Sequence, residues 1–561
     1  MSATYLAAGG LIAFIAGYLL YSEFLARRVF RLDPEYRTPA HRLQDGIDYI
    51  PTNRFVLWGH HFTSVAGAAP IIGPAVAIIW GWGPAFAWVI VGTIFFAGVH
   101  DFGAIWTSVR HDARSIGSFT GDLVGKRAQN LLMIVIFLLL LMVNAVFAVA
   151  IAKSFINTPS SVLPAWSAIV VALILGQLIY RYRAGLLWPS LGGLAALYFF
   201  LYLGPAFPVS LPDHVLGLVP NAQWIIIMFA YAAIASMLPV WMLLQPRDYI
   251  NGLQLFIGLG ILYLSVFIAN PEIVVPAFNQ DPPEGTPPIF PLLFVTIACG
   301  AISGFHSLVG SGTTSKQINC ETDARLVGYG GSVGEGLLAL ATIVVVTSGY
   351  TSLDEWKTVY TRFGDGGITA FVNGGAAIVS NGIGLSREFS ATLLAVMAIL
   401  FAGTTMDTGV RLQRYIVQEW GQDYGIPVLT NHVVATFIAV GTCMILAFGA
   451  GGSSGTGGMT IWPLFGTTNQ LLAGLCLLVI SLYLLKLGRP FWFTLLPMTF
   501  LLMTTILALF QQLGSLINEA KWVLVVMDTL ILGAAIMIAL EAIGAFLREY
   551  RKAGSEGEAK S

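Results

Sequence analysis

The stretch Gly59–Ile79, GHHFTSVAGAAPIIGPAVAII, decides the fold. Its Ile, Val and Ala content belongs in a bilayer, yet it opens on His60 and His61 and continues through Thr63 and Ser64. It then holds Gly67, Pro70, Gly73 and Pro74 where a helix should be continuous. Ionisable groups inside a span are costly unless they face an interior or a water-filled cavity. Proline removes a backbone donor and frees a carbonyl one turn earlier. The spacing therefore predicts a helix that unwinds between Gly67 and Pro74 and turns backbone groups into a cavity. Secondary transporters bind substrate and ion at such breaks. A kink serving packing alone would not need the histidines.

The rest of the chain agrees. It has 561 residues, 56% hydrophobic and 10% charged, with a mean hydropathy of +0.78; a soluble domain carries about 25% charged residues. Apolar runs such as Leu131–Ile151, Ile225–Leu244 and Val523–Leu540 match the ~20 residues that span hydrocarbon. About fifteen spans are expected, near 3–26, 56–80, 84–108, 131–154, 163–180, 186–204, 222–245, 250–269, 290–314, 329–350, 389–408, 431–449, 461–485, 491–512 and 521–547. With the N-terminus outside, alternation leaves only Lys153, Lys357, Arg362, Arg387 and Lys521 of the 28 basic residues on the outer side. By the positive-inside rule the chain is N-out and C-in. The expected class is an all-α polytopic membrane protein.

Residues 1–54 form a first helix, expected to be retained and not cleaved as a signal peptide, and a basic cytoplasmic loop. Residues 55–408 form the transport core, 409–547 additional C-terminal helices, and 548–561 a cytoplasmic tail. Within the core, 351–388 starts and ends outside, so Gly366–Gly384 is a re-entrant hairpin or a surface helix. Gly449–Thr460 reads as a flexible outer loop. The net charge of −1 offers no field for nucleic acid. The four cysteines show no CxxC spacing. The partners expected are a small-molecule substrate and the lipid bilayer.

Three further polar groupings carry chemistry. His100 and Asp101, in GVHDFG, fall at the same estimated depth as His60 and His61, and a His–Asp pair suits proton handling near neutral pH. Zinc or iron ligation competes with that reading, but neighbours at i and i+1 point about 100° apart on a helix. The stretch Cys299–Ile318 places Ser303, His306, Ser307 and Gly310 on one helical face. Its end, with Ser311, Gly312, Thr313 and Thr314, resembles a carboxylate-binding nest of N–H groups. It lacks GxxxxGK, which excludes a nucleotide loop. Asn144, Glu335, Asp407, Asp528 and the run Trp462–Gly474 are weaker signals, as suited to helix packing as to a pathway.

Together these residues have a familiar arrangement. DGIDYIPTNRFVLWGHHFTSVAGAAPIIGPA, GVHDFGA, SGFHSLVGSGTTSKQI and WPLFGTTNQLLA closely resemble the carbon starvation protein A family, from about Asp45 to beyond Ala473. The resemblance implies an inner-membrane transporter of peptides or pyruvate in the amino acid–polyamine–organocation superfamily. Its LeuT-like core has two inverted five-helix repeats. That register puts core helix one on the second span, helix six on Ala235–Pro246 with Pro239, and helix eight on Ser303–Thr314. Substrate is then expected at Ser64, Gly67, Ala68, Ala69, Gly73, Ser307, Ser311, Gly312, Thr313 and Thr314. Ion coupling is expected at His60, His61, His100, Asp101, Ser303 and His306, with protons, or alternatively sodium, as the coupling ion and no cofactor. No arginine lies near the middle of the expected pathway, so backbone N–H groups and hydroxyls bind the substrate. A metal- or haem-binding redox protein using His60, His61 and His100 is the alternative class.

Overall fold

A computed structural model describes residues 1–558 apart from 47, 186, 240, 241, 451 and 456. Among the described residues thirteen helices are long and apolar enough to cross a membrane. They are α1 (Ala3–Val29), α4 (Trp82–Arg110), α5 (Lys126–Asn157), α6 (Pro159–Ile179), α7 (Leu187–Ala206), α8 (Pro220–Met237), α9 (Leu244–Ala269), α12 (Arg325–Ser348), α14 (Arg387–Asp423), α15 (His432–Gly449), α16 (Thr460–Lys486), α17 (Trp492–Asn518) and α18 (Trp522–Arg551). A fourteenth is the bent pair α2 (Arg54–Ala66) and α3 (Ala69–Trp80), whose axes meet at 49°. The fifteenth expected span is two short pieces, α10 (Ile289–Thr296) and α11 (Phe305–Gly312). The chain is a multi-pass membrane protein.

Hydrogen bonds join helix ends on two faces of the bundle. On one face Arg110 grips Glu321 in a bidentate pair at 2.5 and 2.7 Å, Thr52 N–H donates to Gln317 O at 3.1 Å, and Arg489 donates to Phe30 O. On the other, Ala3 N–H donates to Pro271 O at 2.9 Å, Val274 N–H to Thr347 O at 3.0 Å and Asn221 to Ser454 O at 2.8 Å. Lys560 lies outside the described residues. Three arginines assigned by sequence to loops of the basic face are instead buried: Arg247 in the first turn of α9, and Arg411 and Arg414 within α14. The reason is the length of α14, 37 residues, or roughly 55 Å at 1.5 Å per residue. It carries Arg411 and Arg414 back along α8, where they meet free carbonyls, while Arg247 pairs with Asp407 of α14.

Three breaks interrupt the bundle. Between α2 and α3 the interruption is Gly67, at φ +54°, a conformation that favours glycine. The prolines, to which the sequence assigns the unwinding, lie beyond it. Pro70 sits in the first turn of α3, where its missing N–H costs nothing, and Pro74 is carried inside the helix. Between α10 and α11 the chain is non-helical from Ile297 to Gly304. At Pro239 α8 has already ended, and Arg411 donates to Ala235 O and Leu238 O at 3.0 and 2.7 Å while Arg414 donates to Ser236 O at 2.5 Å. Val240 and Trp241 of that turn lie outside the described residues.

The first two breaks touch. A Cβ on Gly73 would lie 2.5 Å from Thr296 O, and one on Gly300 3.4 Å from Pro70 Cβ. Around this crossing stand α5 and α14, which pack on each other, with α4, α12 and α16. The apolar stretch of α16 is almost wholly buried, so the interior includes a helix from the 409–547 segment. Within 351–388 the chain forms a short helix (Leu353–Val359) and α13 (Gly367–Ile383), which packs on α3, α9, α12 and α14. Gly449–Thr460 holds a single helical turn, Gly452–Ser454, before α16, and Gly451 and Thr456 lie outside the described residues.

This contact makes a prediction about packing. Gly73→Ala should destabilise the protein by about 1–3 kcal/mol, because the neighbouring atoms are backbone and yield little. Gly403→Ala, with nothing within 4 Å of an added Cβ, should not. Thermal unfolding of the purified protein in detergent reads both, and an unchanged midpoint for Gly73→Ala would refute the close approach.

Candidate functional site

The break at Gly67 exposes backbone to the interior. Among the described residues the N–H groups of Gly67, Ala68 and Ala69 make no backbone hydrogen bond, as the start of a helix dictates. Facing them is α14: a Cβ on Gly67 would lie 2.8 Å from Thr405 Oγ1, a buried hydroxyl with no partner. From α9, Asn251 donates to Thr404 Oγ1 at 3.1 Å and leaves its own oxygen unpaired, and buried Gln254 pairs neither amide atom. Buried polar atoms are nearly always satisfied, so unpaired donors and acceptors beside a helix break mark a place where a ligand or water completes the bonding.

Two buried charge networks flank α2. In the first, Asp101 accepts from His100 Nδ1 at 2.7 Å, His306 Nδ1 at 2.7 Å and Ser332 at 2.5 Å. His306 Nε2 stands 3.2 Å from Glu335 Oε2, within ion-pair range but not aligned for a hydrogen bond. Neither oxygen of Glu335 has a hydrogen-bond partner. With Nδ1–H committed to Asp101, a neutral His306 would aim its Nε2 lone pair at the carboxylate. A proton in that gap relieves the contact from either side. In the second network Arg247 pairs with Asp407, donates to Tyr231 OH at 2.8 Å and stands 3.4 Å from Asp248. Tyr231 donates to Asp407 at 2.8 Å, and Ser64 to Asp248 at 3.3 Å.

The two adjacent histidines divide between these networks. His60 Nδ1 lies 3.6 Å from Asp248 Oδ2, whereas His61 turns to Thr314 Oγ1 at 2.8 Å and packs against Gly331, next to Ser332. The 100° between neighbours on a helix has separated them, so they do not form one ligand set with His100. Among the described residues no three His, Cys, Asp or Glu side chains are grouped to hold a metal ion. His100, Asp101 and His306 do come together; the sequence left Glu335 weak, and Ser332 unremarked.

The hydroxyls of α11 are occupied locally. Ser307 donates to Gly304 O, Ser311 to Ser307 O and Thr313 to Val309 O, at 2.6, 2.5 and 2.9 Å. The segment Ser311–Thr314 is the end of α11 and the start of a 3₁₀ turn, with Thr313 N–H spent on Val309 O, where a nest was expected. A Cβ on Gly312 would meet nothing within 4 Å. Ser303 turns away from α2 to Asn469 of α16. Asn469 also accepts from Phe305 N–H at 2.9 Å and donates to Cys299 Sγ at 3.1 Å, capping α11 from another helix.

Sequence reasoning also passed over Asp248, Asn251 and Gln254, and excluded Arg247. They were legible as a polar stripe at helical spacing leading into an apolar run, QPRDYINGLQ, which reads as a loop if the helix is started at residue 250.

The profile of the family described as carbon starvation protein CstA matches residues 2–361 and 351–508. The chain belongs to this family. A peptide transporter CstA of Campylobacter jejuni is 32% identical over 571 residues, 91% of this chain and 80% of the relative. A pyruvate/proton symporter BtsT of Escherichia coli is 30% identical, covering 92% and 82%, and a peptide transporter CstA of the same organism 30%, covering 91% and 81%. The family and these relatives are transporters, not enzymes.

The cap offers a direct test within the CstA family fold. Asn469→Ala removes the acceptor of Phe305 N–H and should cost about 1–2 kcal/mol, lowering the thermal midpoint. Asn469→Asp keeps the acceptor and should recover most of the loss. An Ala variant as stable as the parent would show that α11 needs no cap.

Proposed function

We propose that this chain is a secondary transporter of a bacterial inner membrane that imports pyruvate or short peptides by proton symport. The carrying observation is a broken helix with free N–H groups standing between two buried charge networks. The N–H groups of Gly67–Ala69, with Ser64, Asn251 and Thr405 around them, form the substrate site, and a carboxylate suits the N-terminus of α3. The Asp101–His306–Glu335 network takes the coupling proton in the 3.2 Å gap between His306 and Glu335. Charge is costly in hydrocarbon, so a carrier reorients more easily once substrate anion and proton have entered together. The face holding Arg110, Arg325 and Arg489 is cytoplasmic, which makes the chain N-out and C-in.

We place a LeuT-like inverted repeat in a register different from that expected of the sequence. The first repeat runs α2/α3, α4, α5, α8 and α9; the second runs α10/α11, α12, α14, α15 and α16. The pair α6–α7 and the segment ending in α13 are insertions. Support comes from the two broken helices, which run in opposite directions and touch at their breaks. Further support comes from α5 packing on α14, the third members of the two repeats. Core helix six is then α10/α11 and helix eight is α14, so Thr405, not Ser303, faces the first break.

Glu335→Gln keeps the shape of the side chain and removes its proton chemistry. Proteoliposomes should then lose proton-driven accumulation of labelled pyruvate or dipeptide by at least about tenfold, while exchange without a gradient stays within about threefold. Separate proton and sodium gradients identify the ion. Wild-type accumulation and pH profile in a folded Glu335→Gln protein would exclude this network from coupling.

A further inference from the structure

His61 hydrogen-bonds to neither buried network, yet it lies between one of them and the basic face. It is wholly buried, while His60 before it is half-buried. Counted from that face, His61 is seven residues past Arg54 and Glu335 ten past Arg325, or roughly 10 and 15 Å deep. The imidazole looks both ways. Its Nδ1 meets Thr314 Oγ1 at 2.8 Å, and Thr314 is buried beside exposed Thr313. Two residues on, Lys316 pairs with Asp48 at 3.8 Å on the basic face. The Nε2 edge rests on α12: a Cβ on Gly331 would lie 2.9 Å from His61 Cδ2 and 3.4 Å from Nε2. The next residue, Ser332, donates to Asp101. Among the described residues His61 Nε2 has no partner, like His306 Nε2 and both oxygens of Glu335.

We propose that His61 is the relay that passes the coupling proton from the His306–Glu335 pair to the cytoplasm. The assignment rests on the transport reading above and adds an exit for the proton. A proton leaving the pair enters at Nε2 while the Nδ1 proton passes to Thr314 Oγ1, and the hydroxyl yields its own proton to bulk water beside Thr313. The imidazole ends neutral as its other tautomer, the network has lost one proton and the cytoplasm has gained one. The charged groups bearing on this ring are Asp101 from α4, His306 from α11 and His60 from α2 itself. Glu335 stands behind His306 on α12, and Asp248 of α9 faces His60 instead. His100 does not offer the same route, because its Nε2 has no hydroxyl leading outward.

Proteoliposomes with the basic face inward and pyranine in the lumen read proton arrival alongside uptake of labelled pyruvate or dipeptide. His61→Ala should slow both by at least about tenfold, the scale of a lost proton-transfer group. Lumenal imidazole should bring the rate to within about threefold of wild type in the same imidazole, whereas pyrazole, equal in shape but a far weaker base, should not. Thr314→Val keeps the size of the side chain and removes its hydroxyl. It should slow proton arrival by at least about fivefold, and Thr314→Ser should stay within about twofold of wild type. If His61→Ala does not fold, Thr314→Val decides alone. Wild-type proton arrival in either variant, or equal rescue by pyrazole, would make the ring a packing element and overturn the proposal. A wild-type protein that accumulates neither substrate on a proton gradient sinks the transport reading itself, whereas accumulation indifferent to these variants sinks the relay alone.

Discussion

Everything in this molecule depends on one requirement of hydrocarbon: a backbone N–H or C=O has no water to bond, so every interruption of a helix must be completed by protein or by ligand. At the α10–α11 break side chains of the protein complete part of it. Thr93 donates to Gly300 O at 2.9 Å, Trp88 to Ile297 O at 3.3 Å, and Asn469 caps the new helix. At the end of α8 two arginines do the same for three carbonyls. At Gly67 the N–H groups of Gly67, Ala68 and Ala69 also lack backbone partners, and there they stand beside the unpaired hydroxyl of Thr405.

The charges follow the same economy. Removing one partner of a buried pair is far more costly than either partner's presence suggests. Asp101 accepts from three side chains, and Asp407 shares one oxygen between Arg247 and Tyr231. The atoms left without a partner in the two networks are both Glu335 oxygens, the Nε2 of His100 and of His306, Arg247 Nε and Asp407 Oδ1. His306 Nε2 and a Glu335 oxygen face each other at 3.2 Å, and Arg247 also lines a cavity. His60 and His61 bring α2 into contact with both networks, so a movement of that half-helix would be felt by each.

Composition and apolar runs were enough to establish a polytopic helical membrane protein, the approximate position of most of its spans and the presence of a break near Gly67, because hydrocarbon imposes length and polarity on each segment separately. The motifs were enough for the family. His100, Asp101 and His306, which the structure brings together, stood out in the sequence because ionisable groups inside apolar runs are visible one at a time. What only the tertiary structure decided is which of them meet. His61 leaves His60, Ser303 turns to α16, and Arg247 withdraws from an apparent loop to pair with a residue 160 positions away. Pairings of that kind depend on the rotation of each helix about its axis and on which helices are neighbours. Neither is written in hydropathy, which records how deep a residue lies but not which way it faces.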